Sequence, residues 1–291
     1  MDFKPLTLND IDIVKPYFEL SEWKTCDYTV GGMFMWRDFY HMEYTIVNNT
    51  FFSRMYHNGK VFYNIPLSGD LNASLRFLIN SEGLPMKFCT VPKPLLPLFE
   101  EAGTNTVITE QRELSDYLYS SEDLIHLSGK KYSGQRNQIS QFKRKVESWS
   151  FHTIDKTSIE RIRKFFMEEY LPTAEGGAYE VEENQKVLEL LEHYDVFQMI
   201  GGYLVADGEI VGFSIHEIIG DTMFTHVEKA SRKCKGAHQM LVNQSVIAFA
   251  GDSVLYINRE EDMGDPGLII SKRSYHPIRL LEKYVVEVNA T

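Results

Sequence analysis

Three β-rich runs joined by two tight turns constrain the fold of this chain more than any other feature. The runs cover residues 197–206, 209–219 and 222–228, and the turns are Asp207-Gly208 and Gly220-Asp221. Asp-Gly and Gly-Asp pairs between such runs are strong signals of β-hairpins. The sequence therefore predicts three antiparallel strands, followed by a helix that begins near Gly236 and by a short apolar strand over residues 254–257.

A similar order of helix, strand meander, helix and strand is present in the first third of the chain, within residues 7–91. With 291 residues, the chain also exceeds one average domain. We therefore predict an α+β fold of two tandem domains, covering residues 1–112 and 113–291. Each domain is expected to be a mixed, mostly antiparallel sheet flanked by helices, and the second is expected to carry the functional site.

Composition excludes several classes of protein. The formal net charge of −11 argues against broad coating of nucleic acid, where affinity depends on phosphate neutralisation. No apolar run approaches the roughly 18 residues that a membrane-spanning helix needs. The cysteines Cys26, Cys89 and Cys234 form no Cys-x-x-Cys pair, so neither a disulfide framework nor a cysteine zinc site is expected. These features favour a protein of the reducing cytoplasm that has no transmembrane segment and no metal site.

Residues 129–146 are predicted to form a basic helix. The segment contains no acidic residue, and its six basic residues are Lys130, Lys131, Arg136, Lys143, Arg144 and Lys145. Tyr132, Ile139 and Phe142 recur at helical spacing, and Arg136 is predicted to lie on the same buried stripe. An inward-facing arginine needs an anionic partner, either an internal carboxylate or a phosphate or carboxylate of a ligand. The outward lysines form either a solvated face or a surface for phosphates.

The third of the predicted strands ends in a histidine and a glutamate. Side chains alternate along a strand, so Phe224, His226 and Glu228 are predicted to share one face. A histidine and a carboxylate two residues apart can act as an acid–base pair. The alternative is that both groups are hydrogen-bonded within a polar core.

The loop before the next helix has the composition of an anion site. Unpaired backbone amides at a helix start attract negative charge. Gly236 and Ala237 allow a ligand to approach the backbone closely, while Arg232 and Lys235 add positive charge. We expect a pyrophosphate or a nucleic-acid phosphate to bind there.

A polar cluster follows the predicted apolar strand. It contains Asn258, Glu260 and Asp262 beside Arg259, and Lys272 lies in the last turn of the next predicted helix. Polar groups at the end of a central strand are costly unless they satisfy one another or face a cleft. A hydrogen-bonded network with Arg259 and Lys272 is favoured over a metal site.

Four groups of residues resemble motifs of a known family. They are Leu127-x-Gly129-Lys130 with Arg136-Asn137, His226-x-Glu228-Lys229, Asn258-Arg259-Glu260-x-Asp262-x-Gly264 and Lys272-x-Ser274-Tyr275-x-Pro277. In this order they resemble the soluble catalytic domain of phosphatidylglycerol lysyltransferases and its stand-alone relatives of unassigned function. The resemblance covers residues 119–284. It implies two tandem folds of the acyl-CoA N-acyltransferase (GNAT) type, with the architecture of Fem-type aminoacyltransferases.

The resemblance also implies a cytoplasmic acyl- or aminoacyltransferase. Its donor would be acyl-CoA or aminoacyl-tRNA, with no tightly bound cofactor, and its acceptor an amine or hydroxyl of a small molecule or lipid. Such transfer needs a base and donors for the developing oxyanion. The predicted catalytic residues are His226 or Glu228 as base, Asn258 for the oxyanion, and Glu260 and Asp262 to orient the acceptor. The predicted phosphate-binding residues are Lys130, Arg136, Asn137, Arg232, Lys235, Gly236, Ala237 and Lys272.

Two other functions remain open at this point. A binding module that kept the fold without the reaction is favoured by the loop 232–237, which keeps only part of the usual GNAT phosphate-binding pattern. An RNA- or tRNA-binding protein would use the basic face of residues 130–145, and its affinity would fall steeply with salt.

Overall fold

A computed structural model of the protein describes residues 1–101, 105–173 and 178–290. The chain divides into two compact units. Unit 1 comprises Met1–Tyr117, Glu260–Ile269 and Leu280–Thr291, and unit 2 comprises Leu118–Arg259 and Ile270–Arg279. None of the helices formed by the described residues has the length and apolar character needed to cross a membrane.

The described residues form both strands and helices. The strands are β1 (Lys4–Pro5), β2 (Glu43–Val47), β3 (Thr50–His57), β4 (Lys60–Tyr63), β5 (Met86–Pro92), β6 (Asn105–Glu110), β7 (Asp116–Ser120), β8 (Trp149–Thr153), β9 (Ile200–Ala206), β10 (Glu209–Ile219), β11 (Thr222–Ala230), β12 (Tyr256–Asn258), β13 (Arg279–Leu281) and β14 (Lys283–Asn289). The helices are α1 (Ile11–Phe18), α2 (Val30–Phe34), α3 (Leu71–Glu82), α4 (Pro97–Glu101), α5 (Ser121–His126), α6 (Ser133–Lys145), α7 (Ile159–Phe165), α8 (Ala178–Glu192), α9 (Tyr194–Phe197), α10 (Ala237–Phe249) and α11 (Pro266–Ser274).

The first sheet has the strand order β1-β2-β3-β4-β5-β14-β6. The strand meander predicted in the first third of the chain is confirmed as β2, β3 and β4. The last strand of the chain, β14, pairs antiparallel with β5 on one side and β6 on the other. Its Val286 and Val288 alternate into the core and are fully buried.

The return of β14 corrects the predicted domain boundary. We expected residues 113–291 to form one continuous second domain, but residues 260–269 and 280–291 belong to unit 1. The reason is that β5 and β6 each pair with β14, so the first sheet is completed by a strand from the end of the chain. Pairing between segments so far apart in sequence leaves no local signal.

The second sheet has the order β13-β7-β12-β11-β10-β9-β8. The three predicted antiparallel strands are confirmed as β9, β10 and β11. β12 runs parallel to β11 but pairs with it only from Thr222–Tyr256 to Phe224–Asn258. β11 continues to Ala230, whereas the chain leaves β12 after Asn258. The two strands therefore part at this point.

Helices cover both faces of the second sheet. α10 packs on one face, where Met240 and Leu241 join Tyr132 and the α6 residue Phe142 in a single apolar cluster. On the other face, Phe165 of α7 and the following Phe166 place their rings edge-on against Phe213. The predicted class of an α+β protein with two mixed sheets flanked by helices is confirmed.

Candidate functional site

A buried ion pair occupies the point where β11 and β12 part. Arg259, the residue after β12, donates from Nη2 to Oε2 of Glu228 on β11 at 2.5 Å. The same carboxylate oxygen lies 3.5 Å from Nε2 of His238, in the first turn of α10. The Arg259 side chain is 5% exposed, that of Glu228 is 14% exposed and that of His238 is 33% exposed. We call these three residues the Glu228 centre.

Two tyrosines enclose the guanidinium of the centre. Arg259 lies 4.7 Å from the ring centroid of Tyr275 and 5.7 Å from that of Tyr119. These distances are typical of cation–π contacts. Among the described residues, Nε and Nη1 of Arg259 and the hydroxyl of Tyr275 have no hydrogen-bond partner. Burying donors without partners costs free energy, so this arrangement is not optimised for stability alone.

Each charge of the Glu228–Arg259 pair stabilises the ionised form of the other group. Burial by itself would raise the pKa of Glu228, but Arg259 and His238 lower this pKa far below its ordinary value. Burial by itself would lower the pKa of Arg259, but the facing carboxylate raises it. Glu228 and Arg259 are therefore both ionised throughout the working range of a protein.

A β-bulge separates His226 from Glu228. Ser214 pairs with Glu228 and Ile215 with Val227, but the next residue of β10, His216, pairs with Thr225. His226 is the extra residue of β11, and an extra residue shifts the alternation of side chains. Glu228 therefore shares the α10 face with Thr225, in agreement with its contact to His238.

His226 points to the opposite face of the sheet, where its Nε2 lies 3.3 Å from Oε2 of Glu217. Both side chains are buried, at 1% and 6% exposed. The prediction that Phe224, His226 and Glu228 share one face is correct for Phe224 and His226, whose rings are stacked with their centroids 6.5 Å apart. It is wrong for Glu228, because a one-residue bulge interrupts the strand before it. His226 and Glu228 do not form the expected acid–base pair.

Asn258 and Lys272 lie beside the Glu228 centre in unit 2. Asn258 is the last residue of β12 and is fully buried. Lys272 of α11 donates from Nζ to the carbonyl oxygen of Arg259 at 2.5 Å, and the hydroxyl of Tyr119 donates to the carbonyl of Lys272 at 2.8 Å. These bonds attach α11 to the end of β12. The predicted roles in holding an oxyanion or a phosphate stay predictions.

Glu260 and Asp262 belong to unit 1 rather than to the unit of the Glu228 centre. Asp262 is 1% exposed. Its carboxylate accepts from the Tyr117 hydroxyl at 2.7 Å, from Arg112 Nη1 at 3.0 Å and from the Gly264 amide at 2.9 Å. These three donors fix the turn after β12. The predicted role of Glu260 and Asp262 in orienting an acceptor stays a prediction.

The start of α10 differs from the predicted anion site. Gly236 has a φ of +85°, and a Cβ at this position would lie 2.2 Å from the carbonyl oxygen of Gln138 in α6. The Ala237 amide donates to the Cys234 carbonyl at 3.1 Å, and the Ala237 side chain is fully buried. The glycine therefore permits close packing of two helices rather than the approach of a ligand. Arg232 and Lys235 are exposed beside this loop.

Arg136 is exposed rather than buried. Its Nη1 donates to the carbonyl oxygens of Leu127 and Gly129. Gln135 is buried in its place and donates to the Ser274 carbonyl at 2.7 Å. The prediction failed because Tyr132 belongs to a separate 3₁₀ turn before α6, so α-helical spacing counted from it is not valid. Exposed side chains also include the predicted phosphate ligands Lys130 and Asn137.

Unit 1 contains a buried charged cluster that the sequence did not reveal. The Lys283 ammonium lies 2.6 Å from Asp116, 2.8 Å from Asp27, 3.4 Å from the Cys26 sulfur and 3.8 Å from Glu261. Ligand atoms of Cys26, Asp116 and Glu261 all lie within 4.8 Å of one another, as in metal sites. The Lys283 ammonium supplies the positive charge there, so the cluster needs no metal. Five residues from four distant segments give no sequence motif.

Comparisons with known proteins find a matching family model and several similar proteins. A family model described as the C-terminal region of phosphatidylglycerol lysyltransferase matches residues 18–287. A conserved protein of unknown function from Bacteroides thetaiotaomicron has a solved structure with a TM-score of 0.90 and 27% identity, covering 99% of this chain and 100% of that one. A curated relative, the uncharacterized protein MYCGA3080 of Mycoplasmoides gallisepticum, is 22% identical over 176 residues. That alignment covers 60% of this chain and only 56% of the relative.

Two further solved structures share the fold at lower identity. L-PGS from Bacillus licheniformis has a TM-score of 0.65 and 13% identity, covering 95% of this chain and 91% of that one. FemX has a TM-score of 0.59 and 7% identity, covering 99% and 97%. The predicted tandem GNAT-like fold and its Fem-type architecture are confirmed by these likenesses.

Proposed function

Since the family model matches nearly the whole chain, the protein belongs to the family of phosphatidylglycerol lysyltransferase C-terminal domains, and from this premise we propose that it is an aminoacyltransferase whose reaction takes place at the Glu228 centre. Family and fold are those of acyl- and aminoacyltransferases in general. The observation that carries the proposal is the ionised Glu228–Arg259 pair, where two parallel strands part and buried donors lack partners. Preorganised charge of this kind stabilises charge that develops during acyl transfer.

The start of α10 favours a tRNA ester over a coenzyme A thioester as the donor. A pyrophosphate bound there would need the first amides of the helix. Gly236 is instead packed against the Gln138 carbonyl, and the Ala237 amide is already bonded to Cys234. The end of α6 supports the same choice, because Lys143, Arg144 and Lys145 are all exposed and can pair with the phosphates of a tRNA.

The family description favours a lysyl group as cargo and a phosphatidylglycerol hydroxyl as acceptor. In the proposed reaction the acceptor oxygen attacks the carbonyl carbon of the aminoacyl ester. A new carbon–oxygen bond forms, the bond to the tRNA ribose oxygen breaks, and the proton of the acceptor ends on that ribose oxygen. Arg259 provides fixed positive charge for the oxyanion, and Glu228 holds Arg259 in place.

A transfer assay tests this function. Lysyl-tRNA carrying labelled lysine is incubated with the protein and phosphatidylglycerol vesicles, and acetyl-CoA carrying a labelled acetyl group is tested in parallel. We expect labelled lipid from lysyl-tRNA only. Arg259→Lys should lower kcat/KM by about 10²–10³-fold, because lysine does not reproduce the planar guanidinium.

The matched control is Arg161→Lys, which changes an exposed arginine of α7 in the same unit and should retain full activity. Transfer from acetyl-CoA alone would show that the donor is a coenzyme A thioester and not an aminoacyl-tRNA. A wild-type protein that transfers neither group would contradict the proposed function.

A further inference from the structure

We propose that His238, rather than Glu228 or His226, is the general base of the transfer, an inference that rests on the function proposed above. A general base must reach solvent or substrate and must be able to gain a proton near neutral pH. His238 is the residue of the Glu228 centre that reaches solvent, since its side chain is 33% exposed, and a ring nitrogen of its imidazole can accept a proton.

Glu228 is a poor proton acceptor in this position. Arg259 lies 2.5 Å from its carboxylate, and the pKa of Glu228 is far below its ordinary value because this cation opposes the effect of burial. A strongly acidic carboxylate gives little driving force for removing a proton from a hydroxyl. Glu228 is suited instead to holding a neighbouring imidazole and stabilising its protonated form, as the carboxylate does in hydrolase triads.

The two histidines inside the sheet are unsuited for the role. His226 faces away from the Glu228 centre and is covered beside Glu217. His216 is 1% exposed, and its two ring nitrogens lie 3.1 Å from the Thr225 hydroxyl and 2.9 Å from the Ser214 hydroxyl. Burial lowers the pKa of His216 to about 3, so this ring stays neutral and closed to a substrate.

The geometry of His238 matches the arrangement of a base with its orienting carboxylate. Nε2 faces Oε2 of Glu228 at 3.5 Å, a long contact of the kind that tightens when a substrate is bound. Nδ1 has no hydrogen-bond partner among the residues that the structure describes. With Nε2 protonated and turned toward Glu228, Nδ1 carries the lone pair that accepts the proton.

The proton path follows from this arrangement. Nδ1 takes the proton as the acceptor oxygen forms its bond to the carbonyl carbon, and the imidazolium is stabilised by the Glu228 carboxylate. When the bond to the ribose oxygen breaks, the same proton passes from Nδ1 to that oxygen. The imidazole is regenerated, and the numbers of atoms and electrons are unchanged.

The test is a kinetic comparison of the wild-type protein with His238→Ala in the lysyl-tRNA assay. We expect kcat to fall by about 10²–10⁴-fold while KM changes little, which is the usual contribution of a general base. Added imidazole should restore part of kcat in His238→Ala, because a small base can occupy the space of the missing ring. The matched control is His126→Ala, which removes an exposed histidine of α5 and should change neither constant.

A second measurement does not depend on turnover. Histidine-selective nitrogen NMR should find the neutral His238 ring with its proton on Nε2, and Glu228→Ala should abolish this preference. An active protein in which His238→Ala keeps its kcat, or shows no rescue by imidazole, would overturn the inference and leave the proposed function intact. An Nδ1-protonated ring would also overturn it, and an inactive wild-type protein would overturn both.

Discussion

Each of the two units contains a buried cation beside carboxylates, and the two cations differ in how many partners surround them. In unit 1 the Lys283 ammonium is surrounded by Asp116, Asp27 and Glu261 and is 1% exposed. In unit 2 the Arg259 guanidinium has one carboxylate, two nitrogens without partners among the described residues, and a partly exposed histidine beside that carboxylate. Three carboxylates of the protein surround the first cation, whereas the second faces one carboxylate and keeps two nitrogens without partners among the described residues.

The contrast indicates where stability and function lie. A buried cation with several carboxylates is held firmly, and removing it leaves uncompensated negative charge. A buried cation with unsatisfied donors costs stability, and such costs are tolerated at functional sites. Variants of the Lys283 cluster should therefore change folding, while variants of the Glu228 centre should change transfer more than folding.

The largest effect is expected from Lys283→Met. It leaves Asp116, Asp27 and Glu261 without their ammonium, and we expect the free energy of unfolding to fall by about 3–5 kcal/mol. Urea denaturation measures this. The matched control is Lys87→Met on β5, which removes a half-exposed pair with Glu287 and should cost at most about 1 kcal/mol. Equal losses in the two variants would contradict the central position that we assign to Lys283.

Glu228→Gln should have the next largest effect, and the quantity that it changes is the rate of transfer. The amide keeps the shape but removes the charge that holds Arg259 and His238, so we expect kcat in the lysyl-tRNA assay to fall by about 10²-fold, equivalent to about 2.7 kcal/mol. The control is Glu217→Gln, which changes a buried carboxylate on the opposite face of the same sheet, beside His226. If Glu217→Gln lowers kcat as much as Glu228→Gln does, the site does not lie on the α10 face.

The smallest effect is expected from Asp27→Asn, and it concerns how the free energy of unfolding depends on pH. Burial raises the pKa of Asp27 to about 6, although Lys283 opposes the shift. A carboxyl with a raised pKa binds its proton more tightly in the folded state, so its contribution to stability is present below the unfolded pKa and is lost as pH rises through about 6. Asp27→Asn should remove this loss, worth about 2 kcal/mol between about pH 4 and pH 7.

Denaturation of both proteins across that pH range is the measurement, and the exposed Asp252→Asn serves as control. The wild-type protein should lose stability relative to Asp27→Asn as the pH rises. Parallel stability profiles of the two proteins would show that Asp27 is not the group that titrates in the cluster.

Local patterns in the sequence were sufficient to predict the strand order β9-β10-β11, the meander β2-β3-β4 and the helix that follows each. Turn residues and hydrophobic periodicity act over a few residues, and they carry this information directly. The motifs around Glu228 and Arg259 also identified the family, because their order along the chain is a property of the sequence.

Tertiary structure determined where the residues of those motifs lie relative to one another. One extra residue in β11 places His226 on the opposite face from Glu228. The backbone of α6 packs directly against Gly236 at the start of α10. The return of β14 brought Lys283 to residues more than 160 positions earlier in the chain. A bulge, a helix–helix contact and a long-range strand pairing are all set by packing between distant segments, and no local pattern of residues records them.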